Sequence, residues 1–305
     1  MSLFKGVATA LVTPFAGNNL DTLRLTQQVN FQLQSGINAL VALGTTGESV
    51  TLTEGERDTV ITLCAKAIAE FNQAHDTKIP LIVGTGSNDT KKAVDYSKRA
   101  FDLGADGLLV VTPYYNKCNQ HGLLQYFQTV ADATPLPNIL YSVPSRTHLS
   151  LLPQTLLALA KHPNIIAIKD ASSHLTQMQD YIHLLGKLPK PFGIYCGDDA
   201  MFIPYLSQQS DGVISVLSNA FPAPLLQIYN HCTQGDYAKA NALWQALLPL
   251  SKAIFADINP IGIKTAMQLL HRDSGTLRSP LCKPTQKIKH SLKKELLAYT
   301  DLPQA

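Results

Sequence analysis

The chain alternates between short apolar runs and longer segments in which apolar residues recur at helical spacing. The short runs are rich in Val, Ile, Leu and Ala and are bounded by Gly, Pro, Asn or Asp, which is the signature of strands. They fall at Val7–Val12, Ala39–Leu43, Leu81–Gly84, Gly107–Thr112, Ile139–Val143, Ile165–Lys169, Gly193–Cys196 and Gly212–Val216. Of the longer segments, Thr53–Phe71 carries Val60, Ile61, Leu63, Cys64, Ala67 and Ile68 at helical spacing. Asp89–Leu103 is a second helix, stopped by Gly104, and Pro153 opens a third at a first-turn position, where proline is tolerated. Strands that are apolar throughout, rather than alternating, are buried on both faces, as in a parallel sheet covered by helices. Eight such units predict an α/β fold, a closed (β/α)8 TIM barrel, with an open doubly wound sheet as the competing arrangement. From residue 222 onward the chain reads as helix only, punctuated by Pro222, Pro224, Gly235, Pro249 and Pro260. The expected division is a barrel with the active site over 1–221 and a C-terminal helical extension over 222–305.

Composition narrows the function classes. Hydrophobic residues make up 45% and charged residues 15% of the 305 positions, enough to fill a large core and too apolar for disorder. The net charge of +3 is too small for a nucleic-acid footprint. Lys283, Lys287, Lys289, Lys293 and Lys294 form one basic cluster, which reads as a solvated tail helix. The cysteines Cys64, Cys118, Cys196, Cys232 and Cys282 are scattered and form no CxxC pair, which fits free thiols in a reducing cytosol. Met1–Lys5 carries no secretion pattern, and no apolar run approaches the ~18 residues that span a membrane. The expectation is a soluble cytoplasmic protein that binds neither membrane nor nucleic acid. No HExxH and no clustered His/Cys set implies a metal.

In an α/β barrel the active site is built at the C-terminal ends of the strands. The unusual polar residues gather there. Lys169 closes the run Ile165–Lys169, and burial of an amine disfavours the ammonium and favours the neutral nucleophile that Schiff-base chemistry needs. The bland alternative is a lysine that has reached solvent at a strand end. Tyr141 sits within the neighbouring strand, where a phenol can face the barrel mouth and move protons, or can be a core tyrosine with a satisfied hydroxyl. Gly44-Thr45-Thr46-Gly47-Glu48-Ser49 follows the second strand, and its glycines let backbone N–H groups converge on an anion. No GK[ST] follows, so it is not a P-loop, and it could be an ordinary tight turn. Gly84-Thr85-Gly86 lacks the third glycine of a dinucleotide site. Arg146, just past the fifth strand, suits two parallel hydrogen bonds to a carboxylate, or a surface ion pair. Glu48, Asp198 and Asp199 read as loop-holding groups.

Together these residues resemble a known family. Gly6–Phe15, Gly44–Ser49, Thr112–Asn116, Tyr141–Thr147, Ile168–Asp170, Gly197–Asp199 and Gly212–Val216, in this order, are similar to the dihydrodipicolinate synthase family of pyruvate-dependent aldolases, which includes N-acetylneuraminate lyase. The resemblance covers nearly the whole chain. It implies a lyase that condenses pyruvate with L-aspartate 4-semialdehyde to 4-hydroxy-tetrahydrodipicolinate, in the diaminopimelate route to lysine, with no cofactor. It implies that Lys169 forms the imine and that Tyr141 aids its formation and proton transfer. Thr45 would link Tyr141 to Tyr115, the latter reaching across from a neighbouring subunit. Thr46 would bind the pyruvate carboxylate, Gly197 and Ile214 would line the pyruvate pocket, and Arg146 would hold the carboxylate of the semialdehyde. A homotetramer built as a dimer of dimers is the implied assembly.

The chain departs from the family pattern at Ser142, usually Asn, and at His148, usually Gly; Cys118 and His121 stand where Pro and Glu are common. In lysine-inhibited members the effector site uses positions matching Ser49, Val50, Asn88 and Tyr114, with a Glu at the position of Lys92. A cation at Lys92 would face the effector's ammonium, so weak or absent lysine feedback is expected. Two rivals remain. A 2-keto-3-deoxy sugar-acid or N-acetylneuraminate aldolase would have little use for Arg146. A barrel that only binds a 2-oxo acid would be expected to lose Lys169, Tyr141 or the threonine pair.

Overall fold

The computed structural model describes residues 2–300. Eight parallel strands close into a barrel: β1 (Gly6–Ala10), β2 (Ala39–Ala42), β3 (Leu81–Gly84), β4 (Gly107–Val111), β5 (Asn138–Ser142), β6 (Ile165–Asp170), β7 (Gly193–Cys196) and β8 (Gly212–Ser215). Each pairs with its sequence neighbour, and β1 closes on both β2 and β8. All eight strand positions expected from the apolar runs are occupied, two with the expected ends and the others with ends shifted by one or two residues. A two-stranded hairpin, Phe15–Ala16 with Asn19–Leu20, was not foreshadowed by any apolar run.

The helices are α1 (Thr22–Gln34), α2 (Glu54–His75), α3 (Thr90–Asp102), α4 (Gln120–Ala131), a single turn α5 (Pro144–Thr147), α6 (Pro153–Leu159), α7 (Leu175–Leu185), α8 (Phe202–Ser207), α9 (Pro222–Thr233), α10 (Tyr237–Ile254), α11 (Ile261–Leu269) and α12 (Gln286–Thr300). Their ends have local causes. Thr53 and Glu56 form a reciprocal capping box at the start of α2, and Asp89 caps α3 by accepting the amide of Lys91. The helix-only expectation for the C-terminal part needs correction. Between α11 and α12 the chain runs without helix through Asp273, Gly275, Pro280 and Pro284, residues that supply turns and remove helix donors.

Two apolar cores follow from strand alternation. Residues pointing outward pack against the helices, among them Leu40, Val83, Leu108, Leu140 and Ile168. Residues pointing inward fill the barrel, among them Ala8, Val41, Ile82, Leu109, Ile139, Ala167 and Ile214. Each fully buried Val, Leu or Ile contributes about 1.5–3 kcal/mol. At the N-terminal end of the barrel Phe4 stacks on Tyr195 with ring centroids 4.3 Å apart, and the Tyr195 hydroxyl donates to the Phe4 carbonyl at 2.7 Å. That end is plugged; the opposite end is open.

The pairing of β5 with β6 sets what points into the opening. Asn138 pairs with Ile165 but Ile139 pairs with Ala167, so Ile166 is an extra residue at a bulge. After it, Ala167 faces inward, Ile168 outward and Lys169 inward again, level with Tyr141. Without that bulge the alternation would not carry Lys169 into the barrel from the outward-facing Ile165.

Candidate active site

Lys169 is 6% exposed, although it is a lysine at the end of a strand. Its Nζ lies 4.4 Å from the centroid of the Tyr141 ring, its register partner on β5. Both line a cavity of about 390 Å³ at the open end of the barrel. Thr45, Thr46, Arg146, Gly197, Asp198 and Asn259 share its wall. An amine in that setting has few competing hydrogen-bond partners and faces a space large enough for a small 2-oxo acid.

Gly197 makes the room. A Cβ at that position would stand 2.8 Å from Cβ of Ala171 and 3.1 Å from both the Asp170 carbonyl oxygen and Cε of Lys169. Its amide is held by the Asp170 carbonyl at 2.7 Å, so the backbone has no slack. Gly197→Ala is therefore expected to displace the lysine, at an overpacking cost of about 1–3 kcal/mol, and to slow imine formation roughly tenfold or more. Single-turnover trapping of the adduct measures this; an unchanged trapping rate would show that Lys169 has more freedom than the contacts allow.

Behind Lys169, Asp170 points outward and is fully buried. It accepts hydrogen bonds from the Tyr205 hydroxyl at 2.6 Å and from the Ser172 amide and hydroxyl at 3.0 Å each. Burial pushes its carboxyl upward, and the bonds from Tyr205 and Ser172 oppose that shift. Asp170 thus fixes the strand end that aims Lys169. Asp199 does the same for the loop after β8, accepting the amides of Val216 and Leu217 at 2.9 and 3.1 Å. Asp198 accepts from the Ser173 hydroxyl at 2.6 Å.

The Gly44–Ser49 loop folds as a short 3₁₀ turn, Thr45–Gly47. The amides of Thr45 and Thr46 stand at its start, where helical geometry provides no intrahelical acceptor. Thr46 is 2% exposed and its hydroxyl oxygen accepts from Nδ2 of Asn259 at 2.9 Å. Glu48 takes the left-handed conformation, φ 52°, and sends its side chain away from the cavity. There it meets Lys264 of α11 at 2.7 Å, with both side chains essentially inaccessible to solvent. Lys264 also donates to the Thr13 carbonyl at 2.8 Å and lies over the Phe15 ring. Burial pushes its ammonium downward in pKa, and Glu48 opposes that. The other Glu48 oxygen accepts the Arg278 amide at 3.0 Å, and Arg278 is in turn paired with Glu56 of the capping box. Asn259, Lys264 and Arg278 were not singled out in the sequence. Lys264 alone left a signal, as the one charge in the apolar helix Ile261–Leu269.

Arg146 sits on α5 and is exposed on one wall of the cavity, its guanidinium donating to the Asn259 carbonyl at 3.0 Å. Two departures from the family pattern flank it, at Ser142 and His148. His148 occupies the left-handed region, φ 52°, that glycine adopts freely, at a cost of about 1–2 kcal/mol for a side chain. The Ser142 hydroxyl is buried without a hydrogen-bond partner.

Two expected residues stand outside this cavity. Ile214 is 1% exposed within the barrel interior, one layer below, and Val216 lines the wall instead. Tyr115 is 93% exposed with φ 70° and does not reach its own chain's cavity. A second cavity, about 270 Å³, adjoins the first across Thr45, Tyr141 and Arg146, and is lined by Ser49, Val50 and Tyr114. The expected effector residues are not gathered in one place within the chain. Lys92 lines a separate depression with Glu54, Arg57 and Arg99, and the Asn88 carbonyl accepts from Asn116. Arg57 is buried, bonded to the carbonyls of Ser49 and Gly84 and stacked on Tyr96. Among the described residues no group of three or more His, Cys, Asp or Glu could hold a metal, and no helix is long and apolar enough to cross a membrane.

Comparison with known proteins agrees with this geometry. The model of the dihydrodipicolinate synthetase family matches residues 3–299. A 4-hydroxy-tetrahydrodipicolinate synthase of Caldicellulosiruptor bescii is 43% identical over 300 residues, 98% of each chain. The crystal structure of dihydrodipicolinate synthase from Thermotoga maritima superposes with a TM-score of 0.92 at 37% identity, covering 99% of this chain and all of that one. A dihydrodipicolinate synthase variant described as the first monomeric one gives 0.92 at 37% identity over 98% of each chain. The chain belongs to the dihydrodipicolinate synthetase family.

Proposed function

We propose that this protein is a 4-hydroxy-tetrahydrodipicolinate synthase, a lyase that joins pyruvate to L-aspartate 4-semialdehyde through a Schiff base on Lys169. The observation that carries the reading is the buried Lys169 amine beside Tyr141, in a cavity kept open by Gly197. Lys169 Nζ attacks the keto carbon of pyruvate and water leaves, giving the imine. Tyr141, with Thr45, moves the protons of this step, and loss of a methyl proton gives the enamine. The enamine carbon attacks the aldehyde of the second substrate. The substrate's amine then attacks the imine carbon, closing the ring and releasing Lys169.

Thr46 and the loop amides hold the pyruvate carboxylate, and Arg146 holds that of the semialdehyde. Arg146 also favours this reading over a sugar-acid aldolase, whose acceptor carries hydroxyls instead. Arg146→Ala removes charge-assisted hydrogen bonds worth about 1.5–3 kcal/mol, so KM for the semialdehyde is expected to rise roughly 10- to 150-fold with KM for pyruvate little changed. Equal effects on both substrates would count against the assignment.

Tyr115 reaches a neighbouring subunit's second cavity and completes a relay with Thr45 and Tyr141. Its exposed ring and its left-handed backbone, costly for a bulky residue, support that role. The assembly is then at least a dimer, and a dimer of dimers in full. Within the extension expected over 222–305, Asn259, Lys264 and Arg278 brace the barrel rim. Lys92 lines a depression apart from the cavity of Ser49, Val50 and Tyr114 and stands where lysine-inhibited members carry Glu, so the acidic group that would hold the effector's ammonium is replaced by a cation and millimolar lysine is expected to leave steady-state activity within about twofold of the uninhibited rate. Strong inhibition would sink that point alone.

The whole reading is tested by incubation with pyruvate and borohydride, followed by intact mass and peptide mapping. An adduct at Lys169, with turnover of aspartate semialdehyde and none of N-acetylneuraminate, is the expected result.

A further inference from the structure

Asn259 lies between α10 and α11, more than 200 residues from the loop it touches, and lines the cavity. It makes two bonds there. Its side-chain Nδ2 donates to the Thr46 hydroxyl oxygen at 2.9 Å, and its backbone carbonyl accepts from the Arg146 guanidinium at 3.0 Å. Resting on the assignment of Thr46 and Arg146 as the two carboxylate anchors, we propose that Asn259 is a positioning residue: it sets the direction of the Thr46 hydroxyl proton toward pyruvate and ties that anchor to Arg146.

The chemistry of the donor decides the direction. An amide nitrogen has no lone pair to offer, so the bond runs only from Asn259 to Thr46. The threonine hydroxyl carries one proton and two acceptor sites. With its oxygen accepting from Asn259, its own proton is free for another acceptor, and hydrogen-bond chains strengthen a donor that is also accepting. A carboxylate, which only accepts, is the matching ligand. The Asn259 Oδ1 atom is buried with no hydrogen-bond partner. The amide is therefore oriented by Thr46 on one side and by the backbone tie to Arg146 on the other. One residue of the C-terminal region thereby fixes both ends of the site, one through its side chain and one through its main chain.

The distinction between Asn and Asp at this position provides the test. Borohydride trapping at graded pyruvate concentrations, without the second substrate, gives the half-saturating pyruvate concentration directly. Asn259→Ala is expected to raise it about fivefold to tenfold, the loss of one hydrogen bond acting through Thr46. Asn259→Asp is expected to raise it further, because a carboxylate accepts, draws the Thr46 proton away, and sets a negative charge near the substrate's. In a Thr46→Val background, Asn259→Ala should add little, since the two act through one bond. A purely structural role predicts the reverse order, with the isosteric Asp milder than Ala, and multiplicative effects with Thr46→Val; either result overturns the proposal. Being isosteric, Asn259→Asp reports even where Asn259→Ala does not fold. Absence of an adduct at Lys169 in the unaltered protein, or no response to Thr46→Val alone, would instead refute the site assignment beneath it.

Discussion

Lys169→Ala is expected to abolish borohydride trapping of pyruvate and to lower kcat/KM by on the order of 10⁴-fold or more, the scale seen when a covalent nucleophile is removed from a group of residues that act together. The loss should be confined to chemistry. Lys169 lies over the Tyr141 ring inside the barrel, and its removal leaves the outer barrel core untouched. The melting temperature is expected to hold or rise, because an amine buried at 6% exposure is replaced by an apolar side chain. The other buried lysine, Lys264, cannot substitute, since its amine is bonded to Glu48 and to the Thr13 carbonyl on the far side of the loop. A pyruvate adduct of the Ala variant that maps to Lys264, or residual turnover within a hundredfold, would remove the basis for the mechanism.

Lys264→Met is expected to destabilise the protein by about 3–5 kcal/mol, because it leaves the Glu48 carboxylate buried without its cation. The measurement is the shift in urea midpoint at constant m value. Adding Glu48→Gln should recover part of the loss, since a neutral amide demands less solvation than an unpaired carboxylate. An additive double variant would show that the two side chains do not work as a pair. The effect should reach catalysis as well. Glu48 belongs to the loop that carries Thr45 and Thr46, and its left-handed backbone is held by Lys264 and Arg278. Loss of either anchor lets the pyruvate end of the site drift.

Strand positions were legible because eight apolar runs between Gly, Pro, Asn and Asp leave few alternatives to a parallel barrel. Lys169 and Tyr141 were legible as chemistry because each is a polar residue within such a run. The bulge at Ile166, which turns Lys169 inward, was not, because a one-residue slip in pairing leaves no mark on composition. The hairpin at Phe15–Leu20 is too short for its pattern to register. Asn259 and Arg278 were invisible for a different reason. Their partners lie 213 and 230 positions away, and nothing local distinguishes a polar residue that will be buried by a distant loop from one that will face water. The helix-only reading after residue 222 failed where Gly275, Pro280 and Pro284 interrupt the chain, although these were themselves in view.

The bracing of the rim by Asn259, Lys264 and Arg278 has a consequence for how the molecule comes into being on the ribosome. All eight strands have been synthesised by Ser215, whereas the outer core is completed by residues that follow, among them Leu225, Leu247 and Leu292. The loop bearing Thr45, Thr46 and Glu48 then waits, with a carboxylate destined for the interior still lacking its cation, until residues some two hundred positions downstream are synthesised. The order of the chain thus separates the two parts of the site: the imine-forming group belongs to the barrel strands, while the contacts that hold the Thr46 loop come from residues that follow the last of them.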